Sequence, residues 1–186
     1  SDAGHASNSE RIKNAETAGA YSLIDGQLKG LPNDDAGKEL DFIPSPYLGG
    51  MLDPFLDQNM IPIFETNRGC PFSCTFCVWG ISALNKLKQF TLDRIYQELD
   101  YVTHYGMNFP HIYFADANFG ILKRDVEIAE KFSQLYEETK SFSAVEMYWS
   151  KSAQPHMLDV GKALGHLSHT YVAFQSLDPV VLEGMK

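Results

Sequence analysis

From about residue 61 the chain alternates short apolar runs with amphipathic stretches. Ile61–Thr66 predicts a strand. Thr91 then offers an N-cap for a helix running to Tyr105, in which Leu92, Ile95, Tyr96, Leu99 and Val102 share one face; Gly106 ends it. His111–Ala115 predicts a second strand. Asp125–Thr139 predicts a helix with Val126, Ile128, Ala129, Phe132 and Tyr136 inward. Ala144–Trp149 predicts a third strand, and Pro155–Leu164 a helix with proline in its first turn. Thr170–Gln175 predicts a fourth strand, and Asp178-Pro179 opens a further helix as N-cap and N1. Strict alternation of strand and helix implies parallel βαβ units in an α/β fold. Doubly wound and barrel arrangements both satisfy the pattern, and both place ligands at the carboxyl ends of the strands.

Residues 1–44 lack a sustained period of 2 or 3.6 and read as an irregular arm, punctuated by Gly26, Gly30, Pro32, Gly37 and Pro44. Ile43-Pro44-Ser45-Pro46-Tyr47 is stiff and extended, since each proline also restricts the residue before it. The expected organisation is a connector over 1–60 and a core over 61–186. The chain opens Ser1-Asp2-Ala3-Gly4, with neither an initiator Met nor a secretory signal, and reads as a piece of something longer. Its 186 residues and 44 % apolar content suit a globular domain. No apolar run approaches the roughly 20 residues that span a membrane.

Charge narrows the partners. The net charge is −9; residues 1–60 carry −6 of it and residues 61–186 carry −3. Without a basic stripe, binding to nucleic-acid phosphates is not expected.

All three cysteines fall within eight residues, Cys70, Cys74 and Cys77, spaced C-x3-C-x2-C directly after the first strand. An odd number of clustered thiols argues against a disulfide framework and for a metal in a reducing compartment, the cytoplasm. Thiolates favour zinc, copper(I) or iron–sulfur clusters. Closed zinc sites and most clusters need four ligands; three leave a cubane with one open iron. A zinc knuckle completed by a distant histidine is the alternative, with an unusual spacing for zinc. At the other strand ends stand Asp116, Ala117 and Asn118; Ser150 and Lys151; and Gln175, Ser176 and Asp178.

Cys70-x3-Cys74-x-Phe76-Cys77, placed after the first strand of a βα array, resembles the radical SAM superfamily. Pro44-Ser45-Pro46-Tyr47-Leu48, Leu52-Asp53, Glu65–Cys70, Phe114–Gly120 and Phe174–Asp178 resemble the branch that carries an N-terminal cobalamin-binding domain. The resemblance runs from about residue 40 to the end. It implies a partial (βα)6-type TIM-like barrel, of which about the first four units are present after the connector. It also implies a 4Fe–4S cluster on the three cysteines, with S-adenosylmethionine chelating the open iron and cleaved to a 5′-deoxyadenosyl radical. Phe76 is then expected near adenine. Asp116 and Asn118 stand where the superfamily has a Gly-Gly-Glu-like run against the methionine amino group, from which this sequence departs. Ser150 and Lys151 are expected at the ribose and the methionine carboxylate, and Gln175 and Ser176 at the ribose. The branch's Asp-x-His-x-x-Gly motif is missing, since Asp2-Ala3-Gly4-His5 has the wrong spacing. Cobalamin is therefore expected mainly on a domain outside this chain.

The expected activity is cobalamin-dependent methylation of an unactivated carbon in a small molecule or peptide. A low-potential donor of flavodoxin or ferredoxin type would supply electrons. The rivals are a radical SAM rearrangement without methyl transfer and a zinc-stapled binding module.

Overall fold

The computed structural model describes residues 10, 13–14, 18–32, 39–56, 58, 60–80 and 86–185. Two compact units divide it, Ser1–Lys38 and Glu39–Lys186. In the first, β1 (Tyr21–Ile24) and β2 (Gln27–Gly30) pair antiparallel from Tyr21↔Gly30 to Ile24↔Gln27. This corrects the irregular arm expected there. The turn residues Asp25 and Gly26 have φ of 52° and 74°, the left-handed pair that an Asp-Gly hairpin turn requires.

The second unit holds a four-stranded, wholly parallel sheet. Its strands are β3 (Ile63–Phe64), β6 (Ile112–Phe114), β7 (Val145–Tyr148) and β8 (Ser168–Tyr171), adjacent in chain order. The helices α2 (Leu92–Thr103), α3 (Asp125–Thr139) and α4 (Met157–Leu164) alternate with them; a short helix α1 (Asp53–Leu56) precedes and α5 (Pro179–Gly184) follows. The architecture is mixed α/β with a parallel sheet.

Core packing follows the two periods. Ile112 and Phe114 of β6, and Val145 and Met147 of β7, alternate inward and are buried. They meet Leu99 and Val102 of α2, Ile128, Ala129, Phe132 and Leu135 of α3, and Val160 of α4. Phe114 stacks on Phe119 with ring centroids 4.6 Å apart and meets Phe132 edge-on at 5.1 Å. Thr91 caps α2 as expected, its hydroxyl accepting from Arg94 N at 3.3 Å. Asp178 caps α5, accepting from Val180 N at 2.8 Å and Val181 N at 3.2 Å.

Residues 39–56 fold with this unit. Leu40, Tyr47 and Leu56 lie in its core cluster. Tyr47 stacks on Phe64 at 5.0 Å, and its hydroxyl both donates to Ile63 O (2.8 Å) and accepts from Ile63 N (2.9 Å). A side chain thus completes the outer edge of β3. Burial pushes the Tyr47 phenol up to about 12. Ser45 donates to Glu98 Oε1 at 2.6 Å, and Arg94 reaches both Glu98 and Ile43 O. These contacts tie the Pro-Ser-Pro-Tyr segment to α2.

Strand ends depart from expectation for local reasons. The first strand pairs only over Ile63–Phe64, because beyond it a side chain of the β6 end takes over the backbone donors. The fourth runs Ser168–Tyr171 rather than Thr170–Gln175. After Trp149 N bonds Tyr171 O, β7 turns to Phe119 instead (Ser150 N to Phe119 O, 3.0 Å), leaving Val172–Gln175 nothing to pair with.

Replacing Leu99 with Ala should cost about 2–5 kcal/mol of stability in urea unfolding, since the site is enclosed. Thr91→Ala should cost about 1 kcal/mol through the lost cap. Equal losses would contradict this placement of core and cap.

Candidate metal and cofactor site

The cysteine loop is an excursion from a narrow root. β4 (Asn67–Arg68) and β5 (Lys88–Gln89) pair antiparallel, Asn67 with Gln89 and Arg68 with Lys88, and the cysteines lie between them. Gly69, at φ 110°, turns the chain out of β4. Cys70 is buried; Cys74 and Cys77 are half-buried, and none is in a disulfide. Only one turn, Cys77 N to Cys74 O at 3.1 Å, precedes the 3-10 stretch Val78–Gly80.

Asp116, just past β6, holds the root. Its Oδ1 accepts from Thr66 N (2.7 Å) and Asn67 N (3.2 Å), and its Oδ2 from Asn67 Nδ2 (2.9 Å) and the Thr66 hydroxyl. All three residues are buried. Arg124 closes the junction from the other side, donating to Thr66 O at 2.8 Å and to Phe90 O at 2.5 Å, while Phe90 N donates to Thr66 O at 3.1 Å. Asp125 shapes the turn between them by accepting from Gly120 N (2.8 Å) and Leu122 N (3.0 Å). Burial pushes the Asp116 carboxyl up to about 7 against the pull of its donors, and the Asp125 carboxyl up to about 6.

Two thiols meet nitrogen donors. Asn118 Nδ2 lies 3.2 Å from Cys70 Sγ, and Lys151 Nζ lies 2.5 Å from Cys74 Sγ. The Lys151 ammonium also sits over the rings of Phe72 (5.2 Å) and Phe76 (5.9 Å). In the donor set's chemistry this fits a soft metal or cluster: three free thiols on one loop. Among the described residues, however, no three His, Cys, Asp or Glu side chains gather as a metal-binding group. In this conformation the sulfurs are not drawn round one point.

A cavity of about 970 Å³ opens at the carboxyl ends of β7 and β8. Cys74, Phe76, Ser150, Lys151 and Gln175 of the expected residues line it; Cys70, Cys77, Asp116, Asn118 and Ser176 do not. Asp116 bonds the Thr66 and Asn67 groups, so in this structure it serves the loop root. Ser150 is buried, its hydroxyl accepting from Ser152 N at 3.3 Å. Ser176 accepts from Asp178 N at 3.1 Å. Sequence reasoning passed over the apolar wall of Phe72, Trp149, Met157, Phe174 and Leu182. Trp149 reads in sequence as packing, and its indole N–H is buried without a partner beside this cavity. Thr66, Asn67 and Arg124 were also missed as parts of the root; the polar pair Thr66-Asn67 at a strand end was the available signal.

Known proteins bear on this arrangement. No protein-family model matches the chain. Over 176 residues it is 32% identical to the cobalamin-dependent radical SAM methyltransferase TokK of Streptomyces tokunonensis, covering 90% of this chain and 25% of that protein. Over 151 residues it is 32% identical to the 2-(S-pantetheinyl)-carbapenam-3-carboxylate methyltransferase of Streptantibioticus cattleyicolor, covering 76% and 22%. The chain thus spans about a quarter of the length of these curated relatives. Among solved structures, it superposes on TsrM from Kitasatospora setae, a radical S-adenosylmethionine methyltransferase with tryptophan and a SAM analog bound. The TM-score is 0.62 at 15% identity, covering 96% of this chain and 36% of that one. It also superposes on the cobalamin-dependent S-adenosylmethionine radical enzyme OxsB, with aqua-cobalamin and S-adenosylmethionine bound, at a TM-score of 0.58 and 17% identity, covering 93% and 27%. At these identities the structural likenesses speak for the fold alone. The relatives' branch is the one to which the sequence motifs point. No described helix is long and apolar enough to cross a membrane.

The raised carboxyls make a pH prediction. Between about pH 4 and 7 an unfolded Asp116 ionises while the buried one keeps its proton, so its contribution is fully present below pH 4 and is lost as pH rises through about 7. Urea unfolding of wild type and Asp116→Asn across this range should show the wild type losing ground relative to the variant as pH rises. A difference that does not change with pH would refute the burial-driven shift.

Proposed function

We propose, taking as premise that this chain is a relative of cobalamin-dependent radical SAM methyltransferases, that the intact protein methylates an unactivated carbon and that this chain carries its cluster loop. The observation that carries the reading is the placement of three free thiols, C-x3-C-x2-C, at the carboxyl edge of a parallel sheet, with Cys74 on the wall of a large apolar cavity. Cys70, Cys74 and Cys77 would hold a 4Fe–4S cluster. The chemistry such a cluster would supply there is the one-electron cleavage of S-adenosylmethionine to methionine and a 5′-deoxyadenosyl radical.

The chain's own residues do the rest of what falls to it. Phe72, Phe76 and Phe174 give the cavity apolar faces for an adenine ring. Ser150, Lys151 and Gln175 supply the few polar groups that orient a zwitterionic, ribose-bearing ligand, with Lys151 as the cation for a carboxylate. Cobalamin would lie mainly on a domain outside this chain. The sheet, with its strands adjacent in chain order, would be the first part of a (βα)6-type barrel beginning after a connector that ends near residue 60. A low-potential flavodoxin- or ferredoxin-like donor would reduce the cluster, in keeping with a cytoplasmic protein. The substrate class is a small molecule or peptide.

The alternative is a radical SAM rearrangement without methyl transfer. Product mass separates the two, since methylation adds one CH2. Anaerobic reconstitution of the intact protein should give about four irons per chain with visible cluster absorbance. Cys74→Ala should abolish 5′-deoxyadenosine formation. A colourless protein carrying one zinc, or a variant that still forms 5′-deoxyadenosine, would overturn the cluster assignment.

A further inference from the structure

Asn118 makes a contact that this reading does not use. Its amide N–H points at Cys70 Sγ across 3.2 Å, and both residues are buried. An amide N–H is attracted by a thiolate, whereas an amide oxygen would be repelled. The backbone beside Asn118 is held in place. The next residue, Phe119, is stitched to the end of β7 on both sides of its peptide: its N donates to Tyr148 O at 2.9 Å, and its O accepts from Ser150 N at 3.0 Å. The Phe119 ring stacks on Phe114 in the core. The turn is closed at its far end by the Asp125 carboxylate. A rigid turn therefore presents one N–H donor to one sulfur.

We propose that Asn118 is a positioning residue that orients Cys70 and sets the reduction potential of the cluster through its N–H on the Cys70 sulfur. This rests on the reading that Cys70 is a thiolate ligand of that cluster. Reduction by the external donor adds one electron and no proton; the hydrogen stays on the Asn118 nitrogen throughout. The added electron raises the negative charge on the ligating sulfurs, so an N–H donor stabilises the reduced form more than the oxidised form and raises the potential. Burial strengthens this effect, since little water competes for the sulfur. The ammonium of Lys151 beside Cys74 is exposed to solvent, where screening weakens a comparable pull. Of the two donors, the neutral buried one has the firmer hold.

The test uses the intact protein, anaerobically reconstituted, as wild type, Asn118→Leu and Asn118→Asp. Three quantities are read: iron per chain, the midpoint of an EPR-monitored redox titration, and the thermal midpoint of the iron-free protein. Leucine removes the donor at similar volume; aspartate replaces it with a negative charge at the same shape. Both variants should titrate at lower potential than wild type, aspartate lowest, with iron-free thermal midpoints close to wild type. Loss of iron from a variant whose iron-free form is as stable as wild type would equally support the role. Unchanged potentials at full iron content would overturn the proposal and leave the cluster assignment standing. A fall in the iron-free thermal midpoint that accounts for any iron loss would overturn it too, making Asn118 a packing residue. A wild type that takes up no iron would overturn the cluster reading and this proposal together.

Discussion

The tie between Asp116 and the Thr66-Asn67 backbone is the constraint on which the site depends. A parallel strand pair ends where its ladder runs out, and the next N–H groups then need partners. Here one carboxyl from the end of β6 receives both of them, with the Thr66 hydroxyl and the Asn67 amide in addition. The same group therefore finishes β3 and starts the cysteine loop. Its cost shows in the carboxyl itself, which burial lifts to about 7. The tie works through fixed neutral dipoles rather than an ion pair, since the nearest guanidinium, Arg124, spends its donors on the Thr66 and Phe90 carbonyls.

Mechanical consequences follow. Asp116 and Arg124 grip the root, and Gly69 sets the direction in which the loop leaves it. Cys70, next to the root, is buried and faces Asn118 from the turn that Asp116 begins. Cys74 and Cys77, farther out, are half-buried; between them Thr75 N donates to Met185 O at 3.4 Å, and Lys151 lies against Cys74.

What the sequence revealed and what it concealed divide along physical lines. α3 was legible to the residue, because a fifteen-residue amphipathic period overdetermines a helix. α2 was nearly so, because Thr91 supplies a cap. The fourth strand was misread because Val172, Ala173 and Phe174 are apolar for a different reason: they wall a cavity instead of filling a sheet. The first strand was overextended because Thr66-Asn67 bonds a side chain rather than a neighbouring strand. The hairpin at Tyr21–Gly30 escaped notice because its alternation lasts only four residues a side, although Asp25-Gly26 was there to signal the turn. For the site, spacing alone disclosed the thiols. The pairings of Asn118 with Cys70 and of Asp116 with Thr66 join residues about fifty positions apart, which no local pattern encodes.

The sheet's carboxyl edge is split in character, and Lys151 stands on the seam. The β3 and β6 ends form a polar junction in which Thr66, Asn67, Asp116 and Arg124 bond one another. The β7 and β8 ends form an apolar basin with few polar atoms. Lys151 leaves the β7 end, lies over Phe72 and Phe76, and touches Cys74. Ring faces and sulfur are both soft partners for a cation, and neither holds an ammonium as tightly as a carboxylate does. An anionic group entering the basin would therefore draw Lys151 from the thiol, and the Cys74 sulfur would lose its cationic neighbour as the ligand gains one.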